Sequence, residues 1–123
     1  MTKATSLDQV ADVDIDPSGV FKYIQVQVTD KSDTSKEKTI VRGYGRHGFH
    51  AEIFDEVKSE QVDRKALKVS ALGGGRIRHE PAKKEIFIYG YSQAYGPAKH
   101  ELSKSLIEAA FPGYTVSFSY DGY

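Results

Sequence analysis

From residue 19 the chain alternates. In GVFKYIQVQVT, Val20, Lys22, Ile24, Val26 and Val28 hold the even positions, and Phe21, Tyr23, Gln25 and Gln27 the odd ones. Side chains along a strand point to opposite faces in turn, so the pattern predicts a strand whose aliphatic face carries one lysine. That lysine either snorkels outward at the strand end or aims its ammonium into a cleft. After the polar loop TDKSDTSKEK, TIVRGY predicts a second short strand. In FHAEIFDEVKSEQVDR the apolar spacing changes to that of a helix, with Ile53, Phe54 and Val57 on one side. Glu52, Asp55 and Glu56 load its first turns, as the helix dipole favours, and His50 stands at its entrance.

ALKVSALGGGRIRHE and KEIFIYGYS read as two further strands joined at HEPAKKE, where Pro81 favours a turn. Ile86 and Ile88 oppose Phe87, Tyr89 and Tyr91; two apolar faces predict a central strand covered on both sides. A second helix follows in SQAYGPAKHELSKSLIEAAFPGY. Pro97 suits its first turn, Ser103 competes as the N-cap of a shorter version, and Phe111-Pro112-Gly113 ends it. Leu102 or Leu106, with Ile107 and Ala110, form its apolar side. YTVSFSYDGY closes the chain as a strand, and residues 1–18, largely polar, read as a loose arm. The order β, β, α, β, β, α, β predicts an α+β domain. The expected form is one mixed sheet of five to six strands with a helix on each face, in a single domain spanning all 123 residues.

Charge and composition narrow the function. Seventeen basic residues balance seventeen acidic ones. The chain lacks the broad positive footprint of a nucleic-acid binder, though a small anion needs only local charge. With no cysteine there is no disulfide, thiolate nucleophile or thiolate metal site. No apolar run suits a membrane span and the N-terminus has no apolar leader core, so a cytoplasmic location is the expectation.

Several residues carry candidate chemistry. Asp12, Asp14 and Asp16 mimic the start of a calcium loop, but Pro17 falls where the loop needs glycine and Tyr23 where it needs glutamate. His47 and His50 form H-x-x-H without a clear third ligand, so no metal or other cofactor is expected. His50 either caps its helix or serves as a neutral base or nucleophile, since the dipole disfavours its cationic form. GGGR at 73–76 lacks the ending of a nucleotide-binding loop and reads as a turn, a bulge or a close backbone approach; Arg76 then offers a guanidinium to a phosphate. In YGYSQAYGPAK, the exposed amides of a small-residue loop and the Ser92 hydroxyl suit phosphate oxygens, in competition with a plain strand-to-helix turn. His79 and His100 read as surface or satisfied core residues. No G-x-S-x-G elbow marks a catalytic serine.

DVDIDPSGVFKYI, IVRGY, FHAEIFD, LGGGRIRH, IYGYSQAYGPAKHE and FPGYTVSFSYDGY, in this order and spacing, resemble the phosphohistidine phosphatase (janus/ocnus) family from about residue 12 to the end. The resemblance implies a small mixed sheet flanked by two helices. It implies metal-free removal of phosphate from histidine, with His50 catalytic as general base or nucleophile, and Lys22 and Arg76 as cationic partners of the phosphate. Ser92, Gln93 and Ala94 would form the phosphate-binding stretch, Ala94 through its N–H. Expected partners are phosphohistidine-bearing proteins, with inorganic phosphate as product and a monomeric enzyme. The competing expectation is a non-catalytic phosphoprotein-binding or regulatory module of the janus kind. Phe49 stands where the family often has tyrosine, Gln93 where an apolar residue is common, and the cysteines some members carry before the glycine run are missing.

Overall fold

The structure, a computed structural model, describes residues 2–121. Six strands form one mixed sheet: β1 (Val13–Ile15), β2 (Gly19–Asp30), β3 (Glu37–Gly43), β4 (Leu67–Glu80), β5 (Glu85–Tyr89) and β6 (Thr115–Phe118). Helix α1 (His50–Glu56) runs into a π-helical turn at Val57–Gln61, and α2 covers His100–Ala110. The spatial order is β1-β3-β2-β4-β5-β6; the two outer pairs, β1 with β3 and β5 with β6, are parallel and the rest antiparallel. The α+β architecture expected from the sequence is the one observed.

The alternation in β2 sorts the core in two. Ile24, Val26 and Val28 pack with Ile40, Leu67 and, from the first helical segment, Ile53 and Val57. Phe21 and Tyr23 turn the other way and pack with Ile77, Ile86, Ile88, Val116 and Ile107 of α2. One helix therefore lies on each face. Burial of these aliphatic side chains stabilises the fold by roughly 1.5–3 kcal/mol each.

Polar side chains lock α2 to its face. Gln25 donates through Nε2 to the Lys99 carbonyl and the Ser103 hydroxyl, both at 2.6 Å. Tyr23 Oη lies 3.0 Å from Ser103 Oγ and 2.5 Å from His100 Nδ1, and His100 Nε2 donates to the Gly90 carbonyl at 2.7 Å. Because the Nε2–H is committed to a carbonyl, Nδ1 is the acceptor and the tyrosine hydroxyl its donor. Burial pushes the Tyr23 phenol far above its ordinary range. Ser103 is thus an interior strut; α2 starts at His100, after Lys99, at neither Pro97 nor Ser103.

Three other expectations change. Residues 2–18 are packed, not loose: Ala4 and Val10 are buried in the α1-side core, and β1 pairs with β3. Asp14 accepts the Tyr44 hydroxyl at 2.6 Å and Asp16 the Gly45 amide at 2.7 Å, so the acidic run serves as polar glue. Met1 of the expected arm lies outside the described residues. Strand β5 is second from the edge, not central; β2 and β4 occupy the middle, and Phe87 and Tyr89 are only half-buried. Ala110 is exposed, because the burial stripe of α2 runs through His100, Ser103 and Ile107.

The glycine run lies inside a strand rather than at a turn. Gln25 pairs with Gly73 but Val26 with Ala71, so Leu72 is the extra residue of a β-bulge. Close approach explains the glycines. A Cβ on Gly73 would stand 2.5 Å from the Pro97 carbonyl oxygen, and one on Gly74 2.6 Å from that of Tyr23 and 2.8 Å from the His50 ring. The empty volume lets a helix and a loop close on the middle of β4.

Candidate active site

The ladder between β2 and β4 sets Lys22 directly opposite Arg76. Cross-strand partners share a face, and like charges in that position oppose folding. The pair raises the local positive potential on the face that α1 partly covers. Lys22 Nζ donates to the Gly48 carbonyl at 2.6 Å and lies 5.5 Å from the centre of the Phe49 ring.

His50, the first residue of α1, is buried. Glu52 holds the approach to the helix: one of its carboxylate oxygens accepts the amides of Gly48 and Phe49, each at 3.0 Å. His50 Nε2 lies 2.9 Å from the Gly75 carbonyl oxygen. A carbonyl only accepts, so Nε2 carries the hydrogen and Nδ1 keeps its lone pair. Burial is the largest influence on this imidazole and pushes its pKa below the ordinary 6.5; the Gly75 bond opposes that shift, and the charges of Lys22 and Arg76 reinforce it. The ring is neutral at pH 7 and its basic atom is Nδ1.

The loop after β5 supplies the opposite wall. Ser92 and Gly96 exchange two main-chain hydrogen bonds, and the Tyr95 amide donates to Ser92 Oγ at 3.1 Å. Gly74 stitches the loop to β4, donating to the Gly96 carbonyl and accepting from the Ala98 amide. These contacts use the amides of Ser92, Tyr95 and Gly96, whereas those of Gln93 and Ala94 meet no acceptor among the described residues. A cleft of about 340 Å³ results, lined by Lys22, Phe49, His50, Ala51, Arg76, Tyr91, Gln93 and Ala94.

Five of the six residues singled out in the sequence thus line one cleft. Ser92 is buried beneath the loop and does not line it; its hydroxyl shapes the turn. His47 does not line this cleft; its Nε2 lies 2.8 Å from Glu56, a carboxylate that also holds Arg46. His100 is the satisfied core residue described above. His79 is also buried, its Nδ1 2.9 Å from the Asp16 carbonyl oxygen.

Such a cleft suits a tetrahedral dianion beside a neutral base: cations and amides meet the oxygens, and the ring nitrogen meets the central atom or a water. The family model described as "Janus/Ocnus family (Ocnus)" matches residues 7–115. The chain belongs to the Janus/Ocnus family. A protein of Sus scrofa named "14 kDa phosphohistidine phosphatase" is 43% identical over 127 aligned positions, covering 100% of both chains. The Homo sapiens protein of the same name is 42% identical, covering 93% of this chain and 94% of its own. "Sex-regulated protein janus-A" of Drosophila orena is also 42% identical, over 90% of this chain and 80% of its own.

Two parts of this Janus/Ocnus cleft escaped the sequence reading. Tyr91 reads as one more aromatic of a covered strand, yet it is 40% exposed and borders the cleft. The Gly75 carbonyl, which sets the tautomer of His50, leaves no side-chain signature at all; only the position of the glycine run in mid-strand reveals it.

Proposed function

We propose that this chain is a protein phosphohistidine phosphatase that works without a metal. The observation that carries the reading is the Nδ1 lone pair of His50, held beside the Lys22–Arg76 pair in one cleft. The names of the porcine and human relatives support it. Lys22, Arg76 and the amides of Gln93 and Ala94 hold the three phosphoryl oxygens, with Ser92 fixing the loop that presents those amides. They neutralise the charge that a metal would otherwise meet.

Two routes use the same atom. As general base, Nδ1 takes a proton from water while the water oxygen forms the new P–O bond and the substrate P–N bond breaks. As nucleophile, Nδ1 bonds to phosphorus as the same P–N bond breaks, and water then releases phosphate from His50. In both, the substrate ring is already protonated on its other nitrogen, so the departing nitrogen takes the P–N bonding electrons and leaves as neutral imidazole, a good leaving group. Rapid quenching without acid separates the routes, since only the second forms phosphorylated His50.

The deciding measurement is phosphate release from phosphohistidine with EDTA present. Turnover is expected, and its absence would overturn the reading. Relatives about as similar are named for sex regulation and not for phosphatase activity, which motivates one second reading: a non-catalytic phosphoprotein-binding or regulatory module. Saturable binding without phosphate release would identify that case.

A further inference from the structure

The face that carries Lys22 and Arg76 continues past them without a cover. The apolar residues of the first helical segment join the cluster of Ile24, Val26 and Val28, farther along β2. Next to the Lys22–Arg76–Tyr89 row lies a second row, Val20–Arg78–Phe87–Ser117, set by the same ladders across four strands. Strand geometry puts the two rows about 7 Å apart. The opposite side of these strands is buried under α2, whereas here Val20 is 56% exposed and the Arg78 side chain 52%. Phe87 and Tyr89 stack with centroids 5.2 Å apart, and the Arg78 guanidinium lies 5.2 Å from the Phe87 ring centre. A second basin, bordered by Val20, Lys22 and Arg76 together with Gly45, His47 and Gly48, shares both cations with the cleft and reaches the second row at Val20.

We propose that this open face docks the polypeptide that carries the phosphohistidine, with an apolar side chain against Phe87 and Tyr89 and a carboxylate at Arg78. The inference rests on the phosphatase reading and adds the kind of substrate. Three features support it. The face is continuous with the cleft through Lys22 and Arg76. The second row is one pleat away, which is the reach of two residues of extended chain from a phosphohistidine seated at the first. Charge is complementary to an acidic segment: Lys22, Arg76 and Arg78 share the face, and the Arg78–Glu80 contact at 3.2 Å is a surface pair that a partner's carboxylate readily replaces. A half-buried aromatic pair bordered by arginine is a composition that anchors protein partners.

The test compares phosphoramidate, which fills only the cleft, with two phosphohistidine peptides. One carries leucine and glutamate beside the phosphohistidine, the other glycine and lysine. Wild-type protein is expected to favour the first peptide in kcat/KM by about tenfold, and Phe87→Ala and Arg78→Ala each to remove roughly three- to tenfold of that advantage. Turnover of phosphoramidate is expected to stay unchanged in both variants. Equal rates on the two peptides, or losses on phosphoramidate that match those on peptide, would overturn the proposal. Wild-type protein inert toward all three substrates would refute the phosphatase reading instead. Amide shifts on adding the leucine–glutamate peptide then decide the docking face: changes at Val20, Arg78 and Phe87 support it, and changes confined to the cleft overturn it.

Discussion

His50 and His100 occupy nearly equivalent environments on opposite sides of β4. Both are buried, both donate through Nε2 to a main-chain carbonyl, and burial lowers the pKa of both. Both press on the glycine run, since a Cβ on Gly74 would lie 2.8 Å from the His50 ring and one on Gly75 2.8 Å from that of His100. They differ in the other nitrogen. Tyr23 donates to Nδ1 of His100 and completes a core network, whereas His50 turns Nδ1 toward a cleft lined by Lys22 and Arg76. The two partners are adjacent residues of one strand. Lys22 and Tyr23 project to opposite faces of β2, so the alternation of a single strand places one histidine in the core and the other in a site.

The widest separation between the two is expected on removal of each ring. His50→Ala should lower phosphate release from phosphohistidine by about 10²–10⁴-fold, roughly 3–5 kcal/mol in the barrier, with a smaller stability loss of about 1–2 kcal/mol and the fold retained. His100→Ala should do the reverse, costing about 2–4 kcal/mol of stability in denaturant unfolding while the folded fraction keeps its turnover. A folded His50→Ala protein with normal turnover would dissolve the distinction.

Arg76→Ala is expected to weaken phosphate binding by about 1.5–3 kcal/mol, read by calorimetric titration, because a charged hydrogen bond is lost. The matching change on the His100 side has no such ligand to lose. Gly74→Ala tests the shared wall: the added methyl meets the Tyr23 carbonyl and the His50 ring, so a stability loss of about 1–3 kcal/mol should come with a drop in turnover as His50 is displaced. Turnover preserved in that variant would show that the close approach does not position His50.

The smallest effect expected is in pH dependence. Both rings have folded pKa values below 6.5. The unfolded chain therefore takes up protons first as pH falls through 6.5. Stability should decline from there and level off beneath the folded values. Only His50 should shape catalysis, so the acid limb of kcat/KM should lie below pH 6.5 and persist in His100→Ala. A limb that moves with His100 would contradict the separation of roles.

Much of this was legible in the sequence. The even–odd pattern of β2 foretold both core faces, and Lys22 stood out on its aliphatic face before any ladder was known. His50 and Arg76 were nameable because each sits at a local boundary or in a short motif, whereas Gln93 and Ala94 were named through the family resemblance; all four line the cleft. β1 was not legible: three residues flanked by aspartates carry little apolar signal, and only pairing with β3 makes them a strand. That the Ser92 hydroxyl is buried beneath its own loop was not legible, because it depends on where the chain returns to Gly74.

By itself the sequence determined the α+β class, the order of the elements other than β1 and the cationic and imidazole residues of the cleft, since periodicity and turn chemistry are local properties. Only the tertiary structure decided that Lys22 faces Arg76, that Gly75 fixes the His50 tautomer, and that the face beyond them stays open. Those facts depend on ladder register and on close approaches between segments far apart in the chain, which no local pattern encodes.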